Sequence, residues 1–172
     1  EFRRVLFRSI AKMTEVVDGP RRWLRQPPLL IPVDIDSDGA QALIRLMDSY
    51  RQTLARDRQL LLHRYHVIDL AHKVVGVGSV GLLAFVLLME GRDAGDVIAL
   101  QAKQAVTSVL EPFTGASELQ SSSLRVVAGQ QLMQAASDVF LGHATTTVGR
   151  DYYVRQLRDM KFAPDQIGRA HV

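Results

Sequence analysis

Three glycines, one serine and one lysine are the residues of this sequence whose types and spacing could do chemistry. Gly76, Gly78 and Gly81 form the pattern G-x-G-x-x-G with Ser79 inside it, and Lys103 follows later in the chain. A glycine lets the backbone approach a ligand closely because it has no side chain. Backbone N–H groups of such a loop can bind phosphate oxygens, while a nearby lysine neutralises their charge. The pattern therefore suggests nucleotide binding as a hypothesis.

Several structures could hold this glycine pattern. The uncharged run 74–89 has 16 residues, and a helix of that length rises ~24 Å, less than the ~30 Å core of a membrane. A dinucleotide-binding fold needs the glycines to open a helix and an acid about 20 residues later, where this chain has Lys103. A hairpin between two strands that covers nucleotide phosphates, followed by a lysine-bearing strand, fits the order best. A plain glycine hairpin without ligand is the remaining alternative.

The elements that would position these residues can be predicted from periodicity and turn signals. β-branched and apolar runs predict strands, and Lys103 lies in the third of them, within the run "ALQAK". Apolar residues at helical spacing predict helices. The predicted strands are 66–75, 82–90, 97–105 and 151–157. The predicted helices are 40–63 and 122–141, and residues 143–150 are predicted to be a connection. We therefore expect an α+β fold in which packed helices flank an antiparallel sheet with a glycine-rich hairpin, resembling a kinase-like N-lobe.

Other candidate sites have simpler interpretations. Residues 34–39, "DIDSDG", match the start of a calcium loop, but Arg45 stands where that loop needs its bidentate acid. We interpret the segment as a turn in which Ser37 or Asp38 caps the next helix. His63 and His66 lack a third ligand at helical spacing and are typical of surface histidines. We predict no metal site in this chain.

Beyond the glycines and Lys103, the sequence contains few of the residues that phosphoryl transfer requires. It has no Asn at all, no Asp-Phe-Gly and no His-Arg-Asp, so the metal-binding Asn of a kinase catalytic loop is not in this chain. The acidic residues between Lys103 and Asp138 are Glu111 and Glu118, and Glu111 is our ion-pair candidate for Lys103. We expect no catalytic residue in the chain, and we do not expect it to be active alone.

The two ends have the character of sequencing-adapter remnants. The residues "IGRAHV" back-translate as ATC GGA AGA GCA CAC GTC, and the segment around residues 4–9 as GA CGT GTG CTC TTC CGA TCT. The two strings are reverse complements over their shared length. We therefore expect residues 1–9 and 167–172 to be artefacts, and the protein to be an internal fragment of a longer chain. Within it we predict an extended connector plus long helix over 10–65 and a nucleotide-lobe-like domain over 66–166.

Removing the two ends changes the charge balance. Four of the 21 Lys and Arg residues and one of the 18 Asp and Glu residues lie in them, which leaves 17 of each. The basic excess is therefore no argument for a nucleic acid or an anionic membrane as partner. The chain has no Cys, which excludes disulfides and thiolate metal sites and fits a cytoplasmic location.

Four segments carry a resemblance to a known family. They are "KVVGVGSVG", "SVLEP", "GQQLMQAASDVFLG" and "DYYVRQLRDMK", and they resemble conserved blocks of the bacterial domain of unknown function 2252 (DUF2252). The resemblance covers most of residues 10–166. The sequence departs from the family pattern at Gln104, where we expect Glu, at Leu82 and Leu83, where a polar pair is usual, and across 115–123.

The resemblance implies that members are longer than this chain. It implies an upstream Gly-Asp-x-His-x-x-Asn-like element and a later Asp-rich strand, which look like the catalytic and metal-binding loops of small-molecule kinases in permuted order. The expected function is thus part of an ATP- and Mg²⁺-dependent kinase-like phosphotransferase or nucleotidyltransferase. Its partners would be a nucleotide and a substrate that the sequence does not identify. The alternative is a non-catalytic α+β module, or a degenerate kinase-like protein, that acts through protein contacts.

Overall fold

The computed structural model describes residues 10–17, 19–74 and 81–157 of the chain. Residues 10–13 are helical. In this part of the chain the strands are β1 (Thr14–Val16), β2 (Arg21–Trp23), β3 (Leu30–Pro32), β4 (His66–Lys73), β5 (Ala84–Glu90), β6 (Val97–Ala105), β7 (Gly142–Thr145) and β8 (Asp151–Gln156). The other helical segments of the described residues are α1 (Asp38–Gln52), α2 (Arg56–Leu62), α3 (Glu111–Thr114) and α4 (Ser122–Met133).

One antiparallel sheet organises the fold. Its strand order is β3-β4-β5-β6-β8-β7, and every neighbouring pair is antiparallel. Strands β1 and β2 form a separate hairpin. The predicted α+β class with an antiparallel sheet and packed helices is confirmed. The three strands predicted around the glycines and Lys103 are neighbours in the sheet, in chain order.

The two faces of the sheet bury different partners, because successive side chains of a strand point to opposite sides. On the first, which we call the helix face, Leu87, Leu100 and Val154 pack in one cluster with Met47 and Tyr50 of α1. On the second, the hairpin face, strand residues pack with the hairpin and the first helical residues. That cluster includes Val86, Ala99, Leu157, Trp23 and Ile10.

The hairpin of β1 and β2 is fastened to the sheet by a buried carboxylate. Asp69 of β4 is 6% exposed and accepts hydrogen bonds from the Trp23 backbone N–H at 2.6 Å and from its neighbour Leu70 N–H at 2.9 Å. Arg22 donates to the carbonyl of Ile68 at 2.6 Å. Strand β3 also pairs with β4. Through these contacts the segment 10–65 packs on the sheet that the later strands, β4 to β8, form.

The prediction of one helix over 40–63 is wrong, because the structure has two. Ser37 caps α1, as the sequence predicted, by accepting a hydrogen bond from the Ala40 N–H at 3.3 Å. The helix ends at Gln52, and the hydroxyl of its C-cap residue, Thr53, donates to the carbonyl of Tyr50 at 2.7 Å. Leu54 then turns into the core, where it is 6% exposed, and α2 begins two residues later. Burial of Leu54 thus decides against one continuous helix.

The second predicted helix, 122–141, is also too long, since α4 ends at Met133. Leu132 and Met133 are 88% and 89% exposed, so no core contact continues the helix past them. Instead the carboxylate of Asp138 accepts hydrogen bonds from the backbone N–H groups of Phe140 and Gln156 at 2.8 and 3.2 Å. Asp138 thereby directs the chain into β7, which the sequence had predicted to be part of a connection.

Candidate functional site

Lys103 lies on the hairpin face near one end of the sheet. In the register of the strands, Lys103 of β6 pairs with Ala84 of β5 on one side and with Tyr153 of β8 on the other. Its face follows from Gln101, two residues earlier, which pairs with the buried Val86 of the hairpin-face cluster. The lysine is half-buried. A small neighbour at Ala84 leaves the lysine stem room along the strand surface.

The glycine segment joins the sheet at the same end as Lys103. Strand β4 ends at Lys73 and β5 begins at Ala84, so the connection between them leaves and re-enters the sheet beside Lys103. Gly81 lies in a turn with φ +82°, a left-handed conformation that favours glycine, and a Cβ added there would meet open space. Gly76, Gly78 and Ser79 lie outside the described residues.

Two further cations share the face and the sheet end with Lys103. Arg155 of β8 pairs with Gln101, so it lies diagonally across from Lys103. Lys73 of β4 pairs with Leu30 of the hairpin-face cluster, and its Nζ lies 3.7 Å from the Sδ atom of Met13. Burial lowers the pKa of Lys103, and the positive charges of Arg155 and Lys73 lower it further.

The carboxylates of this region contact groups other than Lys103. Glu111, the predicted ion-pair partner, lies in the first turn of α3, and its Oε1 accepts a hydrogen bond from the Ser108 N–H at 3.3 Å. Asp151 accepts hydrogen bonds from the Ser122 N–H and the Thr145 hydroxyl, both at 2.7 Å. Across the described part of the chain, no ion pair within 4.0 Å involves Lys103. The pairing with Glu111 stays a prediction.

Gln104, one of the departures from the family pattern, has a structural contact. Its side-chain Oε1 accepts a hydrogen bond from the Leu83 N–H at 3.2 Å, and its own N–H donates to the Leu83 carbonyl at 2.8 Å. These two bonds fasten the start of β5 to β6. Gln104 therefore sets the point at which the chain from the glycine segment rejoins the sheet, next to Lys103.

Sequence reasoning did not find Lys73 and Arg155. Lys73 immediately precedes the glycine segment and Arg155 lies in a predicted strand with alternating side chains, but neither position alone says which strands will be neighbours. The pairing of β8 with β6 brings Arg155 beside Lys103, and β7 follows on the outer edge. A basic residue in a strand was the available signal, and strand order was the missing information.

A cavity lies at the opposite end of the sheet from Lys103. It has a volume of ≈ 780 Å³ and is lined by residues of the β5–β6 turn, by α2 and the segment that follows it, and by the end of β8. Its polar lining includes Arg64, Arg92 and Asp93, and Tyr65 donates a hydrogen bond to Asp96 at 2.8 Å. Charges of both signs line this cavity.

The described residues hold neither a metal-binding cluster nor a membrane-spanning helix. His63 and His66 are exposed, and the described residues contain no group of three or more His, Asp or Glu side chains that could hold a metal ion. No helix in the described ranges has both the length and the apolar character needed to cross a bilayer.

The fold and the site define an α+β protein that presents a basic surface at one end of an antiparallel sheet. Comparison with families identifies the chain more closely. Residues 3–167 match the family described as "Uncharacterized protein conserved in bacteria (DUF2252)". The match covers most of the chain, which therefore belongs to this family, as its sequence blocks had indicated. Neither the curated proteins nor the solved structures gave a match.

Proposed function

We propose that this chain contributes the nucleotide-covering part of a kinase-like phosphotransferase or nucleotidyltransferase that acts in the cytoplasm with ATP and Mg²⁺. Gly76, Gly78 and Gly81 shape a loop whose backbone amides, including that of Ser79, bind phosphate oxygens. Lys103 neutralises the phosphate charge. The second substrate and the catalytic residues come from outside this chain, in the longer protein that we expect to contain it.

One observation carries the proposal: the connection with the glycines and the side chain of Lys103 occur at the same end of the same sheet. Strands β4, β5 and β6 are consecutive antiparallel neighbours, which is the order that a glycine hairpin followed by a lysine strand requires. Helix α4 and the strands β7 and β8 follow Lys103 in the chain. This order agrees with the kinase-like arrangement that the residues suggest.

The charge around Lys103 supports the same proposal. A half-buried lysine, whose pKa is lowered first by burial and then by two nearby cations, gains stability when an anion binds beside it. Phosphate groups supply such an anion, and Mg²⁺ would balance the remaining charge of ATP. Loss of the lysine should then weaken binding of the nucleotide without unfolding the domain.

Calorimetric titration of Mg-ATP into the longer protein tests the proposal. We expect binding in the wild type and a loss of about ten-fold or more in affinity for Lys103→Ala, since a hydrogen bond to a charged group is worth ~1.5–3 kcal/mol. Arg45→Ala removes an exposed cation of α1 and should bind as the wild type does. Equal affinities of the wild type and Lys103→Ala would contradict the assignment of the lysine.

A second candidate function is a non-catalytic module that acts through protein contacts. The segment after β6 favours it, because Val109, Leu110 and Phe113 are 83%, 59% and 86% exposed. Large apolar side chains on a surface are typical of a contact with another protein segment. A folded longer protein that binds no Mg-ATP at millimolar concentration would support this candidate over the nucleotide-binding one.

A further inference from the structure

We propose that Lys73, Lys103 and Arg155 form a single binding surface for the polyphosphate chain of the nucleotide. The identity of the ligand as a nucleotide rests on the proposed function. It adds two phosphate-binding residues, Lys73 and Arg155, to the lysine that the sequence indicates. It also states a preference for ligands with several adjacent phosphates over orthophosphate.

The strand register places the three cations together. Lys73 follows His72, which pairs with Phe85, so Lys73 lies beside Ala84, and Ala84 pairs with Lys103. With neighbouring strands ~4.8 Å apart, the backbones of the two lysines are about 10 Å apart. Arg155 is diagonal to Lys103 on the adjacent strand, a separation of about 7–8 Å. Long side chains at these separations can reach one ligand.

The three side chains have few compensating contacts in the described residues. No ion pair within 4.0 Å there involves Lys73, Lys103 or Arg155. The Nε atom of Arg155 is buried and has no hydrogen-bond partner in that part of the chain, which costs free energy unless a ligand or a solvent molecule satisfies it. Three positive charges on one face that form no ion pair with a described residue therefore favour an anion that carries several negative charges.

The surroundings fit a ligand that lies flat on the sheet. Tyr153 pairs with Lys103, is half-buried and lies two residues before Arg155 on β8, so it borders the surface beside these two cations. Met13 borders the surface at Lys73, and α4 borders it at β8, where Ser122 N–H binds Asp151. Asp69 and Asp151 are the acids of this face near the cations, and both accept hydrogen bonds from neutral backbone or hydroxyl donors.

The mutual effect of the cations supports this proximity. The pKa of Lys103 is lowered by burial first, and then by the charges of Arg155 and Lys73. Two like charges can disfavour the charged form of a lysine only when they are close. A polyanion that bound all three groups would reverse this effect and stabilise the protonated lysine.

Titration of inorganic tripolyphosphate into the 172-residue chain tests the inference without the adenosine moiety. We expect binding that is stronger than that of orthophosphate and that weakens about ten-fold in Lys73→Gln and in Arg155→Gln. Arg45→Gln makes the same change of charge on α1, which packs on the helix face, and should bind as the wild type does. Arg155→Lys keeps the charge and should bind more tightly than Arg155→Gln; circular dichroism checks that each variant is folded.

The outcomes separate this inference from the proposed function. Tripolyphosphate affinity that is unchanged in both Lys73→Gln and Arg155→Gln, or reduced equally in Arg45→Gln, would overturn the inference. If Mg-ATP binding in the longer protein then still depended on Lys103, the proposed function would stand alone. If instead tripolyphosphate bound through all three cations while Mg-ATP did not bind, the surface would stand and its ligand would be a different polyphosphate.

Discussion

At the scale of single residues, the environment of Lys103 is the most informative feature of the protein. Lys103 pairs with a small neighbour, Ala84, and lies on a face that also carries Lys73 and Arg155. Burial and repulsion both act against its protonated form. The sequence predicted the position of this lysine on a strand, but its electrostatic surroundings depend on strands that are distant in the chain.

Lys103 should therefore titrate below its ordinary pKa of 10.5. Its folded-state pKa lies below the unfolded value, so the protonated lysine costs stability, and this cost disappears as the pH rises through the folded-state pKa towards 10.5. In Arg155→Gln one of the repelling charges is absent, and the midpoint should move up towards 10.5. A ¹³C NMR titration of labelled lysines, with a lysine-containing model peptide as the reference, measures the Lys103 midpoint in the wild type and in Arg155→Gln.

A Lys103 midpoint at the ordinary value of 10.5 would contradict this description of the surface. A midpoint that is lowered but does not respond to Arg155→Gln would show that burial alone causes the shift. Arg45→Gln is the matched control, because it removes an arginine charge from α1 and should leave the Lys103 midpoint where it is.

At the scale of elements, the close contact between α1 and β7 holds the helix against the outer strand of the sheet. A Cβ atom added at Gly142 would lie 2.8 Å from the Thr53 hydroxyl oxygen, 2.8 Å from a ring carbon of Tyr50 and 3.0 Å from a methyl carbon of Leu54. The Tyr50 hydroxyl also donates a hydrogen bond to the Phe140 carbonyl at 2.6 Å. Only a glycine fits at this crossing without movement of the helix end.

Gly142→Ala should lower the free energy of unfolding by about 1–3 kcal/mol, the usual cost of overpacking a filled core. Gly129→Ala is the matched control, since Gly129 is inside α4 and a Cβ there meets nothing within 4 Å. The control should raise stability by about 0.5–1 kcal/mol, because alanine favours a helix more than glycine does. Chemical denaturation of both variants measures the difference, and destabilisation by Gly129→Ala larger than that by Gly142→Ala would refute the packing argument.

The boundaries of the strands and helices show how much of the fold can be predicted from sequence patterns. Strands β4, β5 and β6 were predicted because each combines apolar character with clear turn signals at its ends. Strand β7 was not predicted, since it has four residues, begins with Gly142 and follows a segment with helical spacing. The end of α4 was predicted too late because Leu132 is 88% exposed, whereas its spacing is that of a core residue. Tertiary contacts, above all those of Asp138, decide these boundaries.

At the scale of the whole molecule, strand order determines which charges meet. Strand β8 pairs between β6 and β7, so the last strand of the described residues lies next to the lysine strand. A pattern along the sequence cannot indicate this pairing, and Arg155 was therefore not expected near Lys103. The glycines and Lys103 were expected at one site because they belong to consecutive strands, for which neighbouring positions in a sheet are the rule. Membership of the family followed from whole sequence blocks and is shown by the match to residues 3–167.

The sheet has two ends with different chemistry, and this difference allows a discriminating experiment. The end near Lys103 carries cations and the glycine connection. The opposite end has the cavity lined by Arg64, Arg92 and Asp93, in which acids accompany the arginines. A nucleotide could be attracted to either end by an arginine, so the location of binding is more informative than binding alone.

Hydrogen–deuterium exchange of the longer protein, with and without Mg-ATP, tests the central claim most directly. The account predicts slower exchange in the presence of Mg-ATP for backbone amides of residues 75–83 and 101–105, with little change for residues 92–98 at the opposite end. In Lys103→Ala the protection of residues 75–83 should decrease at the same nucleotide concentration. Protection confined to residues 92–98, or no protection anywhere despite a folded protein, would contradict the claim that the Lys103 end of the sheet binds nucleotide phosphates.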